Sequence, residues 1–161
     1  MKASAYRLER TQIVPQPLSE VFAFFSDARN LELLTPKFLH FRILTPFPID
    51  IAAGTLIEYQ LQLFRISFRW HTQIETFEPG QRFTDVQLTG PYRRWHHLHE
   101  FIAVPGGTFV RDVVDYELPL GPLGSIAHRL FVQRMLARIF DYRRIRVAEI
   151  FGSPNSGEVP E

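Results

Sequence analysis

From Thr55 to Leu118 apolar residues recur every second position, run after run, and from Ser125 to Phe151 the spacing changes to three and four without a Pro or Gly. The first pattern specifies an antiparallel meander and the second a long amphipathic helix. Ile57, Tyr59, Leu61 and Leu63 alternate with Glu58, Gln60 and Gln62, while Phe68, Trp70 and Ile74 oppose Arg69, His71, Gln73 and Glu75. Pro79-Gly80 turns the chain into a strand over 82–89, and Gly90-Pro91 turns it again. Pro105-Gly106-Gly107 then leads into 108–118, where Val110, Asp112, Val114, Tyr116 and Leu118 share a face. After the Pro119 to Gly124 loop, in which GPLG reads as a turn, the helix carries Ile126, Leu130, Val132, Leu136, Ile139, Phe140, Val147 and Ile150.

Upstream, residues 6–14 alternate loosely before Pro15 and Pro17, as expected of a strand near a sheet edge. Leu18, Val21, Phe22 and Phe25, then Leu31 and Leu34, predict two short helices, with Asp27 capping the second and Pro36 closing it. Residues 38–44 read as extended and the Pro46, Pro48 and Gly54 region as a loop. The fold class is α+β: a curved antiparallel sheet of about seven strands wrapped around a long C-terminal helix, the helix-grip arrangement, with two short helices after the first strand.

A chain of 161 residues suits one domain, placed at 1–151, with the polar tail 152–161 expected to be disordered. No cysteine is present, which removes thiolate chemistry and cysteine-based metal sites. Fifteen Phe against two Met makes the expected interior aromatic. The N-terminus lacks the apolar core of a signal peptide and no run is long enough to span a bilayer, so a soluble, cytoplasmic protein is expected. A net charge of +1 and the lack of a phosphate-binding glycine loop, nucleophile elbow or dinucleotide fingerprint argue against nucleic-acid and nucleotide partners. Arg129, Arg134, Arg138, Arg143, Arg144 and Arg146 face only Asp141 and Glu149 in the terminal helix. They form either a solvated face or a weak contact for anionic membrane surfaces or acidic ligands.

The segment GPYRRWHHLHEF, residues 90–101, carries the chemistry. As a strand it puts Trp95, His97, His99 and Phe101 on one face, so two imidazoles lie between two aromatic rings. A turn centred on Pro105-Gly106 sets His99 opposite Asp112 and Trp95 opposite Tyr116; a turn centred on Gly106-Gly107 slides each pairing by two. Either register keeps Asp112 near the histidines, where it can orient His97 or His99 as an acid-base group or be a structural partner. A metal needs a third ligand, and Asp112 is the only obvious one beside the crowding Trp95 and Phe101, so neither a metal nor another cofactor is assigned. Asp85 and Gln87 share a face with Phe83 and point either into the same cavity or to water. Tyr59, Trp70, Tyr92, Trp95 and Tyr116 combine aromatic surface with a polar tip, which suits a pocket for amphipathic molecules or ordinary core.

The order of elements, the Pro-Leu-Ser-Glu-Val-Phe entry to the first helix, and the segments FTDVQLTGPYRRWHHLHEF and VRDVVDYELPLGPLG together resemble the START-like or SRPBCC superfamily from about Tyr6 to Phe151. The resemblance implies a cavity between sheet and terminal helix. It also implies a carrier or sensor for a lipid-, isoprenoid- or polyketide-like molecule, or a cyclase- or dehydratase-like enzyme. The expected ligand contacts are Tyr59, Trp70, Asp85, Gln87, Tyr92, Trp95, His97, His99, Phe101, Asp112 and Tyr116, with His97, His99 and Asp112 the candidates for proton transfer. A third reading, a structural or partner-binding module, requires a solid interior.

Overall fold

The computed structural model describes residues 5–63 and 65–154. Seven strands form one antiparallel sheet: β1 (Ala5–Val14), β2 (Arg42–Ile43), β3 (Leu56–Leu63), β4 (Ile66–Glu78), β5 (Arg82–Thr89), β6 (Arg94–Val104) and β7 (Gly107–Glu117). Their order is β1-β7-β6-β5-β4-β3-β2, so the meander from β3 to β7 is sequential and the N-terminal strand closes onto its end. β1 pairs along its whole length with β7, from Ala5 opposite Glu117 to Val14 opposite Thr108, and forms the edge that its loose alternation predicts. Register shifts between His71 and Thr72 and between Ile74 and Thr76 bend β4 against β5. Such bulges increase local twist and help curve the sheet.

Helix α1 (Leu18–Phe25) buries Val21, Phe22 and Phe25, the apolar spacing seen in the sequence. Beyond it the chain departs from expectation. Asp27 does cap the next element, accepting from the Arg29 amide at 3.0 Å, but that element is a single 3-10 turn, Ala28–Leu31, not a second α-helix. The expected strand over 38–44 shrinks to the two residues of β2, because Pro36 starts another 3-10 turn, Lys37–Leu39, which ends at His40 in the left-handed region.

The terminal helix also starts earlier than its sequence pattern. GPLG is its first turn: α2 (Gly121–Ala127) begins after Leu120, with Pro at the helix start, where its fixed φ is favourable and its missing N–H costs nothing. Gly124 is needed there, since a Cβ would lie 2.3 Å from the Pro119 carbonyl oxygen. A π-helical segment, His128–Val132, joins α2 to α3 (Gln133–Phe151), and the continuous helix is 31 residues long. Leu136, Phe140 and Val147 of α3 are buried, whereas Ile126, Leu130 and Ile150, assigned to the same apolar stripe by spacing, are exposed.

Aromatic side chains pack between sheet and helix in two clusters. Leu136 and Phe140 meet Trp70, Tyr92, Trp95 and Tyr116, while Val147 meets the Phe22, Phe25, Phe83 and Phe101 group under α1. No helix among the described residues is long and apolar enough to cross a membrane. Of the tail expected to be disordered, 155–161 lie outside the described residues.

Candidate functional site

Strand β6 positions the site by simple alternation, with Trp95, His97, His99 and Phe101 all buried on the inner face. The two-residue turn at Pro105-Gly106 selects the first of the two registers, His99 opposite Asp112 and Trp95 opposite Tyr116. On the other side of β6, β5 sets Asp85 opposite His97 and Phe83 opposite His99. Each histidine therefore has one carboxylate directly across the ladder and one on the diagonal.

The side chains use both. His97 Nε2 lies 3.0 Å from Asp112 Oδ1 and its Nδ1 3.4 Å from Asp85 Oδ2. His99 Nε2 lies 2.8 Å from Asp85 Oδ2 and its Nδ1 3.0 Å from Asp112 Oδ1. That last approach is off the hydrogen-bonding direction and leaves His99 Nδ1 without an aligned partner. The imidazole centroids are 3.7 Å apart; Phe83 stacks on His99 at 4.3 Å and Phe140 presents its edge to His97 at 5.3 Å. From α3, Arg143 sets Nε 4.0 Å from Asp112 Oδ2 and its guanidinium 5.4 Å from the centroid of the Phe25 ring.

Charge balance in this dry setting decides the protonation tendencies. Burial opposes ionisation of Asp112, but the Arg143 charge, the hydrogen bond to His97 and the close approach of His99 outweigh it and hold the carboxyl well below its ordinary range. Burial likewise works against Asp85, and the two histidines with Arg143 again win, so its pKa is lowered. Burial and the neighbouring His99 lower the pKa of His97 despite both carboxylates. For His99 burial is overcome by Asp112 and Asp85, and its pKa is raised. Two chemically identical side chains are thus driven apart.

Beside this group lies a cavity of about 170 Å³ between the sheet and α3. Of the sequence-predicted contacts, Tyr59, Trp70, Asp85, Tyr92, Trp95, His97 and His99 line it. The other four lie off its wall, each for a visible reason. Gln87 anchors the 90–93 turn, donating to the Tyr92 carbonyl at 2.7 Å and accepting from the Tyr92 amide at 3.2 Å; Gly90 leaves it room, since a Cβ there would be 2.5 Å from Gln87 Oε1. Phe101 packs edge-on against Phe22 and Phe25. Asp112 stands behind the histidines, and Tyr116 shares a 2.8 Å hydrogen bond with His128 Nε2.

The wall also contains residues that sequence reasoning missed, among them Phe83, Ile139, Phe140 and Arg143. A signal for Arg143 was present. Leu136, Phe140, Arg143 and Val147 follow one another at intervals of four, three and four, so an arginine occupies a position of the buried stripe. Among the described residues, the indole Nε1–H of Trp70 and the Nε–H of Arg143, the latter 4.0 Å from Asp112 Oδ2, are buried donors without a hydrogen-bond partner.

Comparison with known proteins places this arrangement. No curated protein matches the sequence. A structure from Thermus thermophilus, TTHA0849, superposes with a TM-score of 0.67 at 19% identity, covering 91% of this chain and 99% of that one. Ara h 8.0201 gives 0.60 at 15% identity over 91% and 99%. Ginseng major latex-like protein 151 from Panax ginseng gives 0.63 at 8% identity over 91% and 97%. These likenesses establish a common helix-grip fold. The family profile described as "Polyketide cyclase / dehydrase and lipid transport" matches residues 14–140, from the end of β1 into α3. With the grip of sheet on helix and that sequence match, the chain belongs to the polyketide cyclase/dehydrase and lipid-transport family of the START-like superfamily.

Proposed function

We propose that the protein binds a hydrophobic or amphipathic small molecule in the cavity between sheet and α3, as a carrier or sensor. The observation that carries this reading is a pocket walled largely by apolar and aromatic side chains, Tyr59, Trp70, Tyr92, Trp95 and Phe140 among them, with the charged and imidazole groups of Asp85, His97, His99 and Arg143 also on its wall. A mostly apolar wall supplies burial energy, and a few convergent polar groups fix orientation. The volume narrows the ligand. At 170 Å³ the cavity is smaller than the ~300–1,000 Å³ of drug-sized sites, which favours a single ring system or the end of an acyl or isoprenoid chain over an entire phospholipid. Trp70 Nε1 is a buried donor without an acceptor among the described residues, and an oxygen-bearing group of a ligand reaching it would supply one.

Gentle purification followed by native mass spectrometry should reveal a co-purifying molecule, and a hydrophobic fluorescent probe should bind saturably and be displaced by it. Ile139→Trp, which projects a large ring from α3 into the space, should weaken probe binding at least ~10-fold, about 1.4 kcal/mol. A protein that carries no ligand and binds no probe would overturn the reading.

A second reading, proton-transfer catalysis of the cyclase or dehydratase type, draws on His97 and His99 lying on the cavity wall. It requires turnover of a poly-β-keto substrate analogue that disappears in His99→Ala while probe binding remains.

A further inference from the structure

His97 and His99 meet more carboxylate oxygen than they have protons to offer. Two neutral imidazoles carry two N–H groups for four nitrogen-oxygen approaches of 2.8 to 3.4 Å. Unless two imidazolium rings stand with centroids 3.7 Å apart, at least one ring nitrogen turns a lone pair toward a carboxylate oxygen. A cation on the Asp85 side resolves this conflict.

We propose that Asp85 Oδ2, His97 Nδ1 and His99 Nε2 form a binding site for a divalent transition-metal ion, zinc by preference, with its open coordination position facing the cavity. The three donor atoms lie within 4.8 Å of one another. Two of the separations, 2.8 and 3.4 Å, bracket the roughly 3.3 Å between neighbouring ligands of a tetrahedral ion at ~2.0–2.1 Å bond lengths. The donor set favours zinc or another first-row ion over calcium or magnesium, which take oxygen ligands.

Much of the outer shell is in place. Once Nδ1 of His97 and Nε2 of His99 act as ligands, the remaining nitrogens, His97 Nε2 and His99 Nδ1, both lie 3.0 Å from Asp112 Oδ1, the first hydrogen-bonded to it and the second off the hydrogen-bonding direction. This is the carboxylate-histidine-metal arrangement that sets ring tautomer and raises ligand basicity. Asp112 is itself approached by Arg143, and Phe83 and Phe140 bracket the rings and limit their rotation. All three ligand residues also line the cavity, so a carbonyl, enolate or water oxygen can take the fourth position. Only that fourth position depends on the ligand-binding reading.

The test uses the full chain, stripped with a chelator and titrated with zinc ion by calorimetry, with X-ray absorption on the loaded protein and cobalt(II) as a coloured substitute. One equivalent should bind, with two imidazoles and carboxylate oxygen in the first shell and the intense visible bands of tetrahedral cobalt. Asp85→Asn, which keeps the shape of the side chain, should lower zinc affinity at least 100-fold, and Asp112→Asn about 10- to 100-fold. Sub-stoichiometric uptake, a shell without two imidazoles, or binding unchanged in Asp85→Asn would overturn the site. Should a variant fail to fold, the wild-type absorption spectrum decides alone. Probe binding by the metal-free protein reports separately on the cavity, so the two readings fail independently.

Discussion

At the scale of single residues, His128 gives the fold a dependence on pH distinct from that of the central cluster. It stacks on Tyr6 with centroids 3.5 Å apart and shares a hydrogen bond with the Tyr116 hydroxyl. Burial pushes the Tyr116 pKa up to about 12, so the phenol stays protonated while it shares the hydrogen bond with His128 Nε2. Burial lowers the pKa of His128, so the folded state prefers the neutral ring. The associated stability is fully present above the unfolded histidine value of ~6.5 and is lost as pH falls through the lowered folded value. Urea unfolding free energy should therefore decline as pH falls below the ordinary histidine value of ~6.5, and this slope should shrink in His128→Phe. Equal slopes in the two proteins would show that other groups carry the loss. Legibility at this scale tracked covalent constraint. His97, His99 and Trp95 were readable because strand alternation leaves one choice of face, whereas the direction of Asp85 depended on β5 docking in a particular register beside β6. Phe101 shares that face but lies farther along the strand, where α1 covers it.

Among the elements, the β6-β7 hairpin brings chemistry-bearing residues of two strands together, and its turn is under steric control. Val104 faces Gly107 across a two-residue loop. A Cβ on Gly107 would lie 2.0 Å from the Val14 carbonyl oxygen, so no side chain fits without moving the end of β1. Gly107→Ala should destabilise by well over ~1 kcal/mol, read from thermal or urea unfolding. Gly106 has φ +83 and open space, so Gly106→Ala should cost about 1 kcal/mol through backbone strain alone. A larger loss at Gly106 than at Gly107 would contradict this account. The meander, its turns and the terminal helix were visible in the sequence because period and punctuation are local properties. The 28–31 turn, the short β2 and the helix start at Gly121 were not, because each is decided by packing: Asn30 Nδ2 donates to the Phe24 carbonyl at 2.9 Å, and Gly124 lets the chain after β7 turn tightly.

Over the whole molecule, the face that grips and the face that looks outward differ sharply. Leu120, Leu123, Ile126 and Leu130 are each more than half exposed, and Arg129 and Arg134 lie beside them. The weak anionic-membrane contact offered by the arginine pattern would, if made, use this patch, with apolar side chains at the interface and guanidinium groups at lipid phosphates. Co-sedimentation with vesicles containing phosphatidylserine should exceed that with neutral vesicles and fall at high salt, and Leu123→Asp should reduce it. Equal recovery from both vesicle types would remove the membrane reading.

The π-helical turn at His128–Val132 separates these two faces. Each residue added to or removed from an α-helix swings everything beyond it by about 100°. The wide turn therefore acts as a phase shifter. Leu136, Phe140 and Val147 stay locked onto the sheet while Leu123, Ile126 and Leu130 are rotated outward. A one-residue insertion or deletion here is thus no neutral change in length: it would turn the outer apolar face relative to the gripping one and couple the surface of the protein to the fit of its interior.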